Sequence, residues 1–186
     1  MATSIVSQLR PTVYASLFAA LISAGAFMAI PVGPVPIVLQ NMFVLLAGAL
    51  LGWRWGSASV LVYLLAGAVG FPVFSAGRGG IAHLFGPTGG YLLSYIPAVV
   101  MVGIVSAKFA ASAVGNTRKA AVGDALGMIL GSVIVYGIGV PWLKVITGIS
   151  WGKAVIAGML PFLTGDILKI IVAVYIAKLL RPKIKL

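Results

Sequence analysis

The sequence predicts an all-α, polytopic integral membrane protein, a bundle of six transmembrane helices with both termini cytoplasmic. Three observations carry this. The 186-residue chain is 61% hydrophobic and only 8% charged, against roughly 25% charged in an average soluble domain, and its mean hydropathy is +1.17. Apolar runs of membrane length recur along the whole chain, at about 12–30, 37–53, 55–70, 89–112, 119–140 and 157–180. The charges, 13 Lys and Arg against two acids, fall mostly at the ends of those runs. At about 20 apolar residues per crossing, six crossings use most of the chain. One membrane domain over 1–186 is therefore expected, with no room for a soluble catalytic or nucleotide-binding module.

The first run follows Arg10 and contains the small-residue stretch Ser23-Ala24-Gly25-Ala26. It is too long for the apolar part of a signal peptide, and further hydrophobic runs follow it, so it reads as a first crossing. Ala15-x-x-x-Ala19 and Ala20-x-x-x-Ala24 set small residues one turn apart. This spacing lets another helix approach closely, from this chain or from a partner. Three prolines then stiffen the connector Pro31-Val32-Gly33-Pro34-Val35-Pro36 by fixing φ. The second and third runs, each short for a bilayer, meet at Trp53-Arg54-Trp55-Gly56. A charge between two indoles reads as a tight turn at a membrane interface; the alternative is one long re-entrant hairpin. Ahead of the fourth run, the glycine-rich segment 71–90 interleaves Gly with Phe, and its length favours a folded cap over a flexible loop. Thr88 is a candidate N-cap for the fourth helix, whose free amides and dipole would favour an anion. The fifth run starts near Asp124, an acid suited to the helix dipole.

Alternating the six spans sorts the bases. Arg10, Arg54, Lys108, Arg118, Lys119, Lys178, Arg181, Lys183 and Lys185 fall on one side, and Arg78, Lys144 and Lys153 on the other. The first group marks the cytoplasmic face, where anionic headgroups attract bases, so 31–36, 71–88 and 141–156 face outward. The basic excess is thereby explained as topology and membrane-lipid contact. Nucleic-acid binding is not expected, since no basic helix or basic stretch with interleaved aromatics is present. Without cysteine, disulfides, thiolate metal sites and Cys nucleophiles are excluded. His83 has no second His or carboxylate near it in sequence and reads as a surface residue, not a metal ligand; no metal or cofactor is expected.

One base is left over, Lys169, inside the last helix and three residues after Asp166. That step sets the two about 60° apart and about 4.5 Å along one helix face. An ionisable group at the bilayer centre costs about 2.5–3.5 kcal/mol even on lenient scales, so the pair needs a reason: a mutual salt bridge that locks the bundle, or a ligand site open to the outside. Gln40 and Asn41 at the top of helix two, and Arg78, Gly79, Gly80 and Tyr91 around the glycine-rich segment, converge on the same outer vestibule. Such a lining suits a small amphipathic ligand with a carboxylate and an amide-like end.

These segments resemble the BioY family, the biotin-specific S components of energy-coupling-factor (ECF) transporters. The resemblance rests on Pro31-x-Gly33-Pro34-Val35-Pro36-Ile37-x-Leu39-Gln40, on Arg78-Gly79-Gly80 with Gly86-Pro87-Thr88-Gly89-Gly90-Tyr91, and on Pro161-Phe162-x-x-Gly165-Asp166-x-x-Lys169, in order and at matching spacing. It implies capture of biotin from outside and its delivery to the cytoplasm across the cell membrane, with Asp166 and Lys169 contacting the vitamin and 78–91 lining or capping the pocket. It also implies docking of a T component at Ala15 and Ala19, with two ATPase subunits supplying energy. No G-x-x-x-x-G-K-[ST] run is present, so the chain is not expected to hydrolyse ATP. An S component for another vitamin, a homodimer working alone and an ion-coupled carrier protonated at Asp166 remain as alternatives. An intramembrane enzyme lacks a nucleophile–base pair or paired carboxylates.

Overall fold

A computed structural model describes residues 2–30, 33–113 and 116–184, with side chains from Leu9 onward. Pro31 and Val32 of the connector, Gly115 before the fifth helix and Lys185 among the cytoplasmic bases lie outside the described residues. The elements in chain order are α1 (Ala2–Phe27), β1 (Ala29–Ile30), β2 (Ile37–Val38), α2 (Gln40–Ala68), a 3-10 turn (Ser75–Gly77), α3 (Ile81–Leu84), α4 (Gly89–Ala111), α5 (Thr117–Thr147), α6 (Trp151–Gly158) and α7 (Leu160–Leu180). Among the described residues, five stretches are long and apolar enough to cross a membrane: Leu9–Phe27, Gln40–Ala68, Gly89–Ala111, Thr117–Thr147 and Trp151–Leu180.

The second of these is two helices. Gly52, at φ 73° and ψ −180°, occupies a backbone region open essentially to glycine alone. A Cβ on Gly56 would lie 3.2 Å from the Ala47 backbone, although nine residues of straight helix would separate them by about 13.5 Å. The chain therefore doubles back at Gly52, and six helical segments form the bundle. The reversal comes one residue before the expected Trp53-Arg54-Trp55-Gly56 turn. Trp53 and Arg54 instead open the second half, exposed, with the Arg54 guanidinium 5.6 Å from the Trp53 ring centre. The first half, 40–51, rises only about 18 Å and begins at the depth of the polar cavity described below. The β1–β2 pair, with Ala29 opposite Val38 and Ile30 opposite Ile37, covers the outer part. Non-helical backbone at such a depth persists where protein buries it or where it lines a cavity.

Helices five and six also differ from expectation. The segment 141–156, expected to face outward between helices five and six, is almost entirely helical, and α5 runs through Pro141. Membrane helices tolerate an internal proline because neighbouring groups satisfy the freed carbonyl. α5 stops instead at Gly148 in the left-handed conformation (φ 69°), its N–H bonded to Lys144 O at 2.9 Å, a common glycine C-cap. Ser150 then caps α6, accepting from the Lys153 amide at 3.4 Å. α6 and α7 are separated only by Met159 (φ −136°, ψ −56°).

Packing follows from small residues. On α5, Gly127 faces the Val102 backbone and Gly131 meets the Leu45 and Val102 side chains, where a Cβ would crowd its neighbours at 3.2 Å and 2.8 Å. α4 and α5 can therefore run in close contact. α1 buries Ala15, Phe18, Ala19, Ile22 and Ala26. The Ala15/Ala19 pair, the expected partner-docking face, is thus packed inside the chain at 3% and 5% exposure. Of the two small pairs, Ala20 and Ala24 face outward. α7 buries one stripe, Phe162, Asp166, Lys169, Ala173 and Ala177, and turns Ile167, Leu168 and Ile171 outward, as expected for a helix with lipid on its other side.

Asp124 does not act through the helix dipole. It lies two turns inside α5, buried, and pairs with Arg181 at 2.5 Å. Arg181 also donates to Ala49 O at 3.0 Å, so one guanidinium ties the end of α7 to α5 and to the first half of α2. This base, counted among the topological charges, is also a structural partner.

Candidate ligand-binding site

The site begins with α7. Its buried stripe carries Asp166 and Lys169 inward, and the two pair at 3.0 Å with side chains 8% and 9% exposed. At the site, Asn41 links α2 to α7. Its Nδ2 donates to Asp166 Oδ1 at 2.8 Å, and its Oδ1 accepts from Lys169 Nζ at 3.1 Å. Tyr136 of α5 donates its hydroxyl to Asp166 Oδ2. The carboxylate thus accepts three hydrogen bonds, two on Oδ1 and one on Oδ2. A carboxylate has about four lone-pair sites, so about one is left, on Oδ2.

Above this network lies a partly open cavity, whose empty space is about 510 Å³ with open solvent included. Asp166, Lys169, Asn41 and Gln40 supply its polar wall. Tyr91, Leu92, Tyr95, Val135 and Phe162 supply an apolar and aromatic one, and the connector closes one side with Val35, Pro36 and Val38. Gln40 is 1% exposed, and its Nε2 has no hydrogen-bond partner within the protein. A smaller void beneath, between Asn41, Ser132, Tyr136 and Asp166, extends the site toward the bundle centre.

The segment 70–88 folds over the outer end as a cap. Phe74 is fully buried: it occupies the space a side chain on Gly67 would need, meets the Tyr63 ring edge-on at 5.5 Å and stacks on His83 at 5.3 Å. Backbone bonds from Phe74 N to Arg78 O (2.8 Å) and from Gly80 N to Gly67 O (2.7 Å) close the loop. Trp142 of α5 pins it, donating Nε1–H to Gly86 O at 2.9 Å. His83 is half-buried, and burial together with the nearby Arg78 holds its pKa below the usual 6.5. No cluster of potential metal ligands occurs among the described residues.

Among the residues singled out from sequence, Asp166, Lys169, Gln40, Asn41 and Tyr91 meet in the cavity wall. Arg78, Gly79 and Gly80 do not line it; Arg78 and Gly79 are exposed on the cap. Arg78 was expected beside Lys169 in the vestibule, yet among the described residues Lys169 is the only Lys or Arg in the lining. Lys144 lies over the Trp151 ring at 5.2 Å. Thr88 stands at the N-cap position of α4 without a side-chain cap bond, its hydroxyl 3.3 Å from His83 Nε2. Three of the first amides are also taken, Gly89 N by Gly86 O and Tyr91 N and Leu92 N by Thr88 O, which leaves little of the expected anion site. Tyr95 and Tyr136 escaped the sequence reading. Their signal was available: Tyr95 follows Tyr91 by one helical turn, and Tyr136 is a hydroxyl in an otherwise apolar, glycine-rich run.

Comparison with known proteins is consistent with this geometry. The sequence matches the BioY family over residues 1–186. It is 41% identical over 166 residues to the probable biotin transporter BioY of Pyrococcus horikoshii, covering 89% of this chain and 93% of that one. It is 36% identical over 169 residues to the biotin transporter BioY of Thermotoga maritima, covering 91% and 94%. The fold matches a crystal structure described as the S-component for biotin from an ECF-type ABC transporter, with a TM-score of 0.85 and 31% identity over 95% of this chain and 93% of that chain. These relatives are transporters or parts of one, and not enzymes. With its membrane-length helices, the chain is a multi-pass membrane protein and belongs to the BioY family.

Proposed function

We propose that this chain is the substrate-binding membrane subunit of an importer, capturing biotin at the outer face for delivery to the cytoplasm. The observation that carries the reading is the buried Asp166–Lys169–Asn41 network facing an otherwise aromatic cavity in a chain of this family. A ureido N–H can donate to the acceptor site left on Asp166 Oδ2, and such charge-assisted bonds are the strong kind. Lys169 is the base available to the ureido oxygen or to the valerate carboxylate. Tyr91, Tyr95 and Phe162 offer ring faces and edges for the apolar part of the ligand. The other members of the expected set, Arg78, Gly79 and Gly80, act in this reading through the cap.

Energy comes from partners, a T component and two ATPase subunits. The outward small pair on α1, Ala20 and Ala24, suits close approach of a T-component helix better than the buried Ala15 and Ala19. A homodimer working without them, an S component for another vitamin and a proton-coupled carrier are outcomes of the same test. Mass spectrometry of the purified protein should detect co-purifying biotin, and titration with biotin should saturate. A different vitamin in the spectrum, or no saturable biotin binding, overturns the reading. Uptake by this chain alone that follows the proton gradient favours the carrier.

A further inference from the structure

Tyr91 is held in a socket made by the absence of two side chains. A Cβ on Gly139 of α5 would collide with three atoms of the Tyr91 ring, and a Cβ on Gly158 at the end of α6 would collide with its hydroxyl and, less closely, with Leu143 Cδ2, the free end of a flexible side chain. Both glycines are buried. Neither has a φ in the left-handed region, so space and not backbone conformation is what glycine supplies there. The hydroxyl donates to Gly158 O at 2.9 Å, fixing the ring between α5 and α6. The open space beside the ring is the cavity it lines. A side chain at either glycine therefore has two outlets: it drives the ring into the cavity, or it separates helices that the ring now joins.

We propose that Gly139 and Gly158 are positioning residues for ligand binding, a socket that fixes Tyr91 as a cavity wall and so sets the width of ligand the site accepts. The inference rests on the reading of this cavity as the biotin site. Overpacking a well-filled site by one methyl group typically costs enough to change an equilibrium roughly ten- to a hundredfold.

The test is equilibrium binding of biotin to the full-length protein in detergent. Gly158→Ala should weaken binding roughly ten- to a hundredfold. Tyr91→Phe removes the colliding oxygen, so the double variant should bind within about threefold of Tyr91→Phe alone. Desthiobiotin, which keeps the ureido and carboxylate groups but lacks the thioether ring, should lose less affinity than biotin to Gly158→Ala, because a displaced ring narrows the cavity. If Gly158→Ala does not fold, Gly139→Ala with and without Tyr91→Ala, which removes all three colliding ring atoms, repeats the cycle from the α5 side. Wild-type affinity in a glycine variant, or a loss that the Tyr91 change does not relieve, overturns the socket and leaves the functional reading standing. A wild-type protein that does not bind biotin overturns both.

Discussion

Exchanging Asp166 for Asn separates two roles that the structure combines in one carboxylate. Asp166 balances Lys169, which is 8% exposed and whose other hydrogen-bond acceptor is Asn41. Removing one member of a buried ion pair costs about 3–5 kcal/mol of stability. Neutralising both, as Asp166→Asn with Lys169→Met, should recover most of it, because no uncompensated charge remains. Ligand binding should behave differently. With two bonds on Oδ1 and one on Oδ2, the carboxylate can accept about one ligand N–H without losing a protein donor. One hydrogen bond to a charged group contributes about 1.5–3 kcal/mol, or roughly ten- to 150-fold in affinity. Calorimetric titration with biotin, alongside thermal unfolding followed by tryptophan fluorescence, reads both quantities. Asp166→Asn and the double variant should each lose at least tenfold in affinity, while only the single variants lose much stability. If affinity follows stability, so that the double variant binds as wild type does, the carboxylate is a structural lock and not a ligand contact.

At the opposite end, Arg181→Met should destabilise the protein by about 3–5 kcal/mol, because it strands Asp124, whose side chain is 2% exposed. Asp124→Asn should cost less, since Arg181 at 27% exposure can turn its guanidinium toward headgroups. Equal or reversed melting losses would contradict this. The cap should loosen in acid. His83 has a folded pKa below 6.5, so as pH falls through 6.5 the unfolded cap takes up the proton first, and stability is lost from there down to the folded pKa. Amide exchange at Gly80, corrected for the slower chemical exchange in acid, should show less protection near pH 5.5 than at pH 7.5; His83→Phe should abolish the difference. The sequence contains no cysteine, so Arg78→Cys should provide a unique label, reactive with membrane-impermeant maleimide from outside intact cells. Labelling only from the cytoplasmic side would reverse the topology.

The bundle was legible because hydropathy over long runs leaves few alternatives, and the site was legible because ionisable residues inside a membrane helix are costly. The three-residue step from Asp166 to Lys169 was enough to put both on one face, and the helix indeed buries that face. The same kind of reading failed where three-dimensional packing decides. The fifth run was expected to end near 140, but α5 continues to Thr147 and stops at Gly148. Arg78 on the cap looked like a site residue, but the backbone of 70–80 turns it outward while burying Phe74.

By itself the sequence determined the membrane class, the bundle of six helices, the side on which the bases gather and the acid–base pair of the last helix. Each follows from local hydropathy or from spacing along one helix. Only the tertiary structure decided which helix face meets which neighbour. It buries Ala15 and Ala19 and leaves Ala20 and Ala24 outward, brings Asn41 and Tyr136 to Asp166 and Arg181 to Asp124, and fits Tyr91 between Gly139 and Gly158. Those pairings join residues from 30 to 125 positions apart in the chain. They depend on how closely backbones approach where side chains are missing, a quantity that no local pattern in a uniformly apolar chain encodes.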